Sequence, residues 1–276
     1  MNNDIGAAFR GPISMAIFDW AGTVLDFGCI APVRAFQEAF ENAGLTITEA
    51  EARAPMGAAK REHIALILGD AEVQRRWQET KGRASTEADI DALYADFLMI
   101  DRVNTAKYSE LIPGTLVVMT ELRTQGIRIG STTGYPRQIM DGLMPLAAAQ
   151  GYTPDHCVTV SEAPRGRPFP DMVLMNALVL GAPDLRGCVV VDDSPSGLIS
   201  GRAAGMWTVG IAVSGNEIGL SLEEWKAKTE AERETRRTAA AQNLRAAGAH
   251  YVIDTVAELP AVIADINAKL AEGVMP

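Results

Sequence analysis

Carboxylate side chains directly follow two short apolar runs of this 276-residue chain. Asp19 comes after Ile13–Phe18, and Asp192 and Asp193 come after Cys188–Val191. Carboxylate oxygens are the ligands that a hard cation such as Mg²⁺ prefers, and a carboxylate at the end of a strand can also act as a nucleophile. An Asp in that position equally serves as a turn or cap residue. Both interpretations of Asp19 are open at this point.

Two further segments could hold an anion. Ser131-Thr132-Thr133-Gly134 follows the run at 127–130 and is expected to open a helix, where backbone N–H groups and a hydroxyl can bind phosphate. The same residues could simply cap the helix. Gly166-Arg167-Pro168-Phe169-Pro170 fixes one guanidinium in a rigid loop before a helix, and guanidinium groups pair well with phosphoryl oxygens.

The elements that must position these residues alternate between apolar runs and helical segments. The runs predict five strands, at Ile13–Phe18, Ile127–Ser131, His156–Val160, Cys188–Val191 and Trp207–Val213. Strands that alternate with helices predict an α/β fold with a doubly wound parallel sheet. In such sheets ligands bind beyond the carboxyl ends of the strands, where the polar residues above lie.

Between residues 31 and 107 the pattern changes to helix after helix, with no plausible strand. The predicted helices are Val33–Ala43, Thr48–Ala54, Ala58–Leu68, Ala71–Thr80 and Glu87–Asn104. We therefore expect a separate helical domain at 27–106, inserted into a discontinuous core domain of residues 1–26 and 107–276. The charge-rich stretch Leu222–Ala247 predicts one long exposed helix.

Composition narrows the class of partner and the compartment. The formal net charge of −10 makes a nucleic-acid partner a poor expectation. Three cysteines without close pairing favour a reducing compartment over a disulfide framework. The sequence shows neither a secretory leader nor an apolar stretch of membrane-spanning length. We expect a cytoplasmic protein that acts on a small molecule, away from membranes.

Four motifs follow one another along the chain: Asp-x-Ala-Gly-Thr at 19–23, Ser-Thr-Thr-Gly at 131–134, Gly-Arg-Pro-x-Pro at 166–170 and Asp-Asp-Ser at 192–194. This order resembles the haloacid dehalogenase superfamily of phosphotransferases, and the helical domain inserted after the first motif resembles that superfamily's cap domain. The resemblance implies that Asp19 attacks phosphorus and forms an aspartyl-phosphate. It also implies that Mg²⁺ is held by Asp19, the Ala21 carbonyl and Asp193, while Thr133 and Arg167 hold the phosphoryl oxygens.

Two positions depart from that pattern. Most phosphatases of the superfamily have a second Asp two residues after the nucleophile, which protonates the leaving alcohol, but this chain has Ala21. Because a methyl group is not an acid, the leaving group must be activated by another residue or must not need protonation on oxygen. In the fourth motif the hydrolases that this chain resembles usually read Gly-Asp-x-x-x-Asp, whereas other superfamily members use adjacent acids; here the distal Asp is replaced by Gly197. Asp192 could supply the missing charge, and whether Asp192 or Asp193 touches the metal directly is open.

The helical segment offers another reactive group in Pro55-Met56-Gly57-Ala58-Ala59-Lys60-Arg61-Glu62-His63. A lysine on a helix is usually a solvated charge. This segment and four others, however, together closely resemble the phosphonoacetaldehyde hydrolase family, and the resemblance covers nearly the whole chain. The other four segments are Phe18–Thr23, Gly130–Tyr135, Gly166–Pro168 and Ala204–Gly210. The resemblance implies that Lys60 forms a Schiff base with the substrate aldehyde, so that Asp19 cleaves the P–C bond and releases acetaldehyde and phosphate.

The same resemblance suggests roles for the neighbours of Lys60. Met56, Gly57 and Tyr135 are expected to shape the substrate pocket, and His63 to relay protons. Cys29 matches a family cysteine near the site, although a free cysteine is as commonly a small buried apolar residue. The family also implies a homodimer joined through the cap domains. A Mg²⁺-dependent phosphomonoesterase or phosphomutase, and a silent binding protein, are the alternatives.

Overall fold

The computed structural model describes residues 9–276, which fold around one parallel sheet of six strands. The strands are Met15–Phe18 (β1), Arg128–Thr133 (β2), His156–Thr159 (β3), Cys188–Asp192 (β4), Trp207–Ile211 (β5) and Tyr251–Ile253 (β6). Their order across the sheet is β3-β2-β1-β4-β5-β6, and every neighbouring pair is parallel. The predicted doubly wound α/β fold is confirmed.

Twelve α-helices accompany the sheet within residues 9–276. They are Ile30–Asn42 (α1), Glu49–Arg53 (α2), Lys60–Gly69 (α3), Ala71–Lys81 (α4), Glu87–Lys107 (α5), Thr115–Thr124 (α6), Arg137–Ala149 (α7), Asp171–Val179 (α8), Pro195–Ala203 (α9), Leu222–Ala227 (α10), Glu230–Ala246 (α11) and Leu259–Ala271 (α12). In this part of the chain no helix is long and apolar enough to cross a membrane.

Helices cover both faces of the sheet. Successive side chains of a strand point to opposite faces, so β1 contributes apolar residues to a cluster on each side. On one face Met15 and Ile17 of β1 pack in a cluster with Val173 of α8. On the other face Phe18 packs in a larger cluster that includes Leu122 of α6. The central strand is therefore buried on both sides, which holds its carboxyl end in a fixed position.

The pairing register brings the polar residues of three strands to one level. Phe18 at the end of β1 pairs with Ser131 of β2 and Val191 of β4. The residue that follows Phe18 is therefore level with the residues that follow Ser131 and Val191. Asp19 consequently lies between Thr132 and Asp192, at the carboxyl edge of the sheet.

Three details of the predicted elements are wrong. Ser131–Thr133 belong to β2 rather than to a helix start, and α7 begins only at Arg137. The stretch predicted as one helix is two, because Lys228 is extended and Thr229 starts α11 with a capping box to Glu232. The sixth strand was not predicted, since three residues give almost no periodic signal.

The segment from α1 to α5, called the helical insert below, contains no strand in the structure. Thr48 and Thr86 begin α2 and α5 with capping boxes, as their hydroxyls and the following carboxylates predict. The insert has its own apolar contacts, including Phe36 of α1 stacked on Phe97 of α5 with ring centroids 4.4 Å apart. The domain limits given above stay a prediction.

Candidate active site

Asp19 and Arg167 form a buried ion pair at the carboxyl edge of the sheet. The Asp19 side chain is nearly inaccessible, with Oδ1 2.8 Å from Nη2 of Arg167. The same Nη2 donates to Oγ1 of Thr132 at 2.7 Å. Burial alone would lower the pKa of Arg167, but the carboxylates of Asp19 and Asp192 hold that pKa above its usual value. The guanidinium is therefore a fixed positive charge beside Asp19.

Asp19, Asp192 and Asp193 form a cluster in which one carboxylate oxygen from each lies within 4.8 Å of the others. Against these three carboxylates stands one guanidinium, so full ionisation leaves two negative charges in excess. Burial raises the pKa of Asp192 to about 6 and raises that of Asp193 well above its usual range, and repulsion from Asp19 adds to both shifts. A divalent cation would relieve this repulsion, so the donor set fits Mg²⁺.

The two acids after β4 have different partners. Asp192 lies 3.0 Å from Nη2 of Arg167 and accepts hydrogen bonds from the backbone N–H and hydroxyl of Ser194 at 2.9 and 2.7 Å. Asp193 accepts one bond, from the backbone N–H of Asn216 at 2.7 Å, and lines the cavity described below. Asp193 is thus the acid that faces the cavity, while Asp192 faces Arg167 and Ser194.

The side chain of Asp192 occupies the space that any side chain at position 197 would need. A Cβ atom on Gly197 would lie 2.0 Å from Oδ2 of Asp192, far inside contact distance. Asp192 and Gly197 are therefore a matched pair, with the carboxylate supplied from the strand end instead of from α9. Glycine at position 197 therefore leaves room for the carboxylate of Asp192.

Replacing Gly197 with Ala is expected to displace the Asp192 carboxylate, and it should lower the free energy of unfolding by roughly 1–3 kcal/mol. Gly142 on α7 is the control, since a Cβ there meets nothing within 4 Å. Gly142→Ala should raise stability by about 0.5–1 kcal/mol. Urea unfolding of both variants measures the difference. Wild-type stability for Gly197→Ala would contradict the close contact.

Lys60 enters the site from the helical insert as the first residue of α3. Its side chain is nearly inaccessible, with Nζ 4.0 Å from Sδ of Met56 and 4.7 Å from the ring centroid of Tyr135. Within residues 9–276 no carboxylate oxygen lies within 4.0 Å of this amine. Burial lowers the pKa of Lys60, although nearby acidic groups oppose the shift. The site thus favours the neutral, nucleophilic amine.

One cavity joins the insert to the sheet edge and contains nearly all of the predicted site residues. Its lining residues are Asp19, Ala21, Cys29, Pro32, Met56, Gly57, Lys60, Thr133, Gly134, Tyr135, Arg167 and Asp193. Lys60 and Asp19 thus face the same small space from opposite domains of the predicted organisation. A molecule that bridged them could react with an amine at one end and a carboxylate at the other.

His63 is the predicted site residue that does not line this cavity. Its Nε2 lies 2.8 Å from the carbonyl oxygen of Ala52, which can only accept, so Nε2 carries the proton. The ring stacks on Phe36 with centroids 3.9 Å apart, and burial lowers the pKa of His63 well below its usual range. His63 is accordingly a neutral ring that packs behind Lys60.

Two glycines allow the insert and the sheet edge to approach each other. Gly57 has a φ of +89°, and a Cβ there would lie 2.2 Å from Oγ of Ser196 and 2.4 Å from Oγ of Ser194. A Cβ on Gly134 would lie 2.8 Å from the carbonyl oxygen of Ala58. Glycine at these positions brings Met56 and Lys60 to the catalytic edge of the sheet.

Arg53 and Asn216 take part in the site but were not predicted from the sequence. Arg53 of α2 donates to the carbonyl oxygens of Gly28 at 2.9 Å and Gly219 at 3.0 Å, and to Oδ1 of Asn216 at 3.2 Å. Because the backbone N–H of Asn216 holds Asp193, Arg53 connects the insert to the loop that orients this acid. Neither residue lies in a recognisable motif, so no sequence signal marks them.

Cys29 lies in the cavity wall between the sheet and α1. Burial raises the pKa of its thiol well above the usual value, with repulsion from Asp193 and Asp26 adding to the shift. The thiol is therefore neutral and not a nucleophile in this setting. Its position serves both expectations for Cys29, as a small buried residue and as part of the pocket wall.

Comparisons with known proteins agree with this geometry. A family model of haloacid dehalogenase-like hydrolases matches residues 13–205. The phosphonoacetaldehyde hydrolase of Klebsiella pneumoniae is 51% identical over 266 residues, which cover 96% of this chain and 99% of that one. The phosphonoacetaldehyde hydrolase of Hahella chejuensis is 46% identical over 96% of this chain and 90% of its own. The chain belongs to the phosphonoacetaldehyde hydrolase family. The resemblance drawn from the motifs is confirmed, and the protein is a hydrolase.

Solved structures extend the comparison to the fold. A crystal structure of a phosphonoacetaldehyde hydrolase-like protein from Oleispira antarctica superposes with a TM-score of 0.97 at 47% identity, covering 98% of each chain. A β-phosphoglucomutase from Clostridium difficile superposes with a TM-score of 0.66 at 16% identity, over 93% of this chain and 98% of that one. The second likeness shows the fold alone. This chain therefore shares its fold with a protein named as a mutase.

Proposed function

We propose that the protein hydrolyses the P–C bond of phosphonoacetaldehyde and yields acetaldehyde and phosphate. The names of its relatives support this substrate. The observation that carries the proposal is the buried Lys60 amine, which lines one cavity with Asp19 and Arg167. An aldehyde at one end of the substrate and a phosphonate at the other match these two sets of groups.

The first step uses Lys60. Its neutral amine adds to the aldehyde carbon, and loss of water with uptake of one proton gives a protonated imine. Burial favours the neutral amine that this attack needs. Met56 and Tyr135, which lie against the amine, exclude solvent from the new cation.

The second step uses Asp19 and breaks the P–C bond. The Asp19 carboxylate attacks phosphorus, while Arg167 and Thr133 hold the phosphoryl oxygens. The electron pair of the P–C bond moves toward the imine nitrogen, so the carbon leaves as a neutral enamine. Such a leaving group needs no acid at the phosphorus end, and this explains why Ala21 can stand where related phosphatases have an Asp.

The last steps restore both residues. Water cleaves the aspartyl-phosphate and frees the Asp19 carboxylate and phosphate. The enamine takes up a proton on carbon and becomes an imine of acetaldehyde, which water hydrolyses to acetaldehyde and the free Lys60 amine. The net reaction consumes one water molecule for each P–C bond that is broken.

Asp19, Asp193 and the carbonyl of Ala21 would hold Mg²⁺ beside the phosphonate. When bound, the ion supplies positive charge that offsets repulsion between the attacking carboxylate and the anionic substrate. The exposure of Asp193 to the cavity supports its role as a direct ligand. The contacts of Asp192 with Arg167 and Ser194 support an indirect one.

Chelation is expected to abolish turnover, and the two acids should differ when each is replaced. Asp193→Asn should raise the Mg²⁺ concentration for half-maximal activity sharply, roughly tenfold or more, because it removes a direct ligand. Asp192→Asn should have the milder effect. Magnesium titrations of both variants measure the ranking, and the reverse order would show that the ligand is assigned to the wrong acid.

Trapping of the imine tests the proposal directly. Sodium borohydride added with phosphonoacetaldehyde should inactivate the enzyme by reducing the imine to a stable secondary amine. Peptide mapping by mass spectrometry should then place a two-carbon adduct on Lys60. A reaction with borohydride but without substrate is the control. An adduct on another lysine, or no adduct during turnover, would overturn the proposed mechanism.

A further inference from the structure

Asp101 is a buried acid of α5 that the steps above do not use. Its side chain is 0% exposed, and neither carboxylate oxygen has a hydrogen-bond partner among residues 9–276. Buried carboxylates normally accept several hydrogen bonds or pair with a cation, because burying a bare charge is costly. An acid with neither kind of contact calls for an explanation in terms of function.

Asp101 lies on the face of α5 that packs toward Phe36, the ring beside the Lys60 amine. Phe97 and Asp101 are four residues apart and lie on one face of α5. Phe97 stacks on Phe36, and Nζ of Lys60 lies 5.6 Å from the Phe36 ring centroid. The two groups also affect each other's protonation, since the Asp101 carboxylate raises the pKa of Lys60 and the Lys60 charge lowers that of Asp101.

The other charged or titratable groups around Lys60 are already engaged or neutral. They are Asp19, Asp26, Cys29, His63, Tyr135 and Arg167. Asp19 pairs with Arg167, and Asp26 accepts hydrogen bonds from the backbone N–H groups at the start of α1. Burial holds Cys29 and Tyr135 in their neutral forms. Asp101 is the one acid in this group without a partner of its own.

We propose that Asp101 is the counterion for the cation that forms at Lys60, the ammonium ion before the reaction and the protonated imine during it. This inference rests on the proposed function, because it needs an imine at Lys60. Asp101 stabilises the positive charge at Lys60 and does not act on the substrate directly, so it is a positioning residue. Asp101 is not among the residues that line the cavity with Asp19 and Arg167.

Before the reaction Lys60 and Asp101 together are neutral, whichever of them carries the proton that they share. In the reactive form Lys60 is a neutral amine and Asp101 a carboxylic acid. Addition of the aldehyde and loss of water then take up one proton and give a protonated imine, and charge balances because Asp101 loses its own proton and becomes a carboxylate. Burial raises the pKa of Asp101 to about 7, against the effect of Lys60 and together with that of Asp26, so both forms are accessible near neutral pH.

Loss of the counterion should weaken the imine as an electron sink. An isolated cation in an apolar environment gives up its proton at lower pH than a paired one. A neutral imine cannot accept the electron pair of the P–C bond well. The effect of removing Asp101 should therefore grow as the pH rises.

The test isolates the imine from the chemistry at phosphorus. The full-length protein is incubated with acetaldehyde and cyanoborohydride, which reduces protonated imines, and labelling of Lys60 is followed by mass spectrometry across pH. Asp101→Asn should be labelled about tenfold more slowly near neutral pH, with the loss of labelling at high pH shifted down by about one pH unit. Asp96→Asn, which removes a carboxylate of the same helix that accepts a bond from Asn42 outside the site, should match wild type.

A second variant separates this role from a structural one. Asp101→Leu fills the site with an apolar side chain, so it should melt at or above the wild-type temperature and still lose labelling. Wild-type labelling with an unshifted pH dependence in both Asp101 variants would overturn the counterion. If wild type itself is not labelled at Lys60, the proposed function fails, and the counterion fails with it.

Discussion

Replacing Lys60 with Arg is expected to remove nearly all P–C cleavage, with kcat reduced by roughly 10³-fold or more. Arginine is positively charged beside Met56 and Tyr135 and cannot form an imine, so the leaving carbon loses its electron sink. The variant should still bind the phosphonate, because Arg167 and Thr133 are unchanged. Phosphate release under saturating substrate measures kcat, and competition by a non-reactive phosphonate measures binding.

Lys81→Arg is the matched control for this change. Lys81 is an exposed lysine of the same helical insert, and its Nζ likewise lies over an aromatic ring, 5.4 Å from the centroid of Trp77. It should keep full activity. Substantial P–C cleavage by Lys60→Arg would show that the imine is not on the reaction path.

Replacing Asp19 with Asn should be equally severe, with a loss in kcat of roughly 10⁴-fold or more. A neutral amide is a poor nucleophile toward phosphorus, and it also leaves the buried guanidinium of Arg167 without the charge 2.8 Å away. Single-turnover phosphate release measures the loss. A search for phosphorylated protein should find the aspartyl-phosphate in wild type only.

The imine step distinguishes the two severe variants. Because Lys60 is intact in Asp19→Asn, borohydride with substrate should still label this variant on Lys60, whereas Lys60→Arg should not be labelled. A double loss, of phosphate release and of labelling, in Asp19→Asn would mean that Asp19 supports the position of Lys60 instead of attacking phosphorus.

The sequence predicts the parts of the fold that have strong periodic signals. Five of the six strands lie where apolar runs end in polar residues, and two helices of the insert, α2 and α5, begin with capping boxes at Thr48 and Thr86. The break between α10 and α11 was missed although Thr229 and Glu232 form a capping box, because the mixed charges on both sides look like one continuous exposed face. Short β6 depends on pairing with β5, which no local pattern reveals.

The site could be predicted as far as motifs reach. The residues taken from the motifs meet in one cavity, with His63 packed just behind it. What could not be predicted depends on contacts between distant segments. Arg53 and Asp101 look like ordinary helix residues, and only the packing of α2 and α5 brings them to the loop of Asp193 and to Lys60.

The two departures from the superfamily pattern have physical explanations in the structure and the proposed chemistry. Gly197 has no side chain, and the carboxylate of Asp192, which pairs with Arg167, occupies the space that a side chain there would need. Ala21 lines the cavity at the position where related phosphatases have an acid. An acid there would repel the phosphonate, and an enamine leaving group does not need protonation by one. Both changes adapt the site without altering the sheet that carries it.

A comparison of two substrates decides between this chemistry and ordinary ester hydrolysis. Phosphate release is measured from phosphonoacetaldehyde and from p-nitrophenyl phosphate, with Mg²⁺ present and with acetaldehyde quantified in the first reaction. We expect strong preference for phosphonoacetaldehyde and one acetaldehyde for each phosphate. Preference for p-nitrophenyl phosphate would instead indicate a phosphomonoesterase or mutase, and turnover of neither would indicate a binding protein; either result would contradict P–C hydrolysis through Lys60.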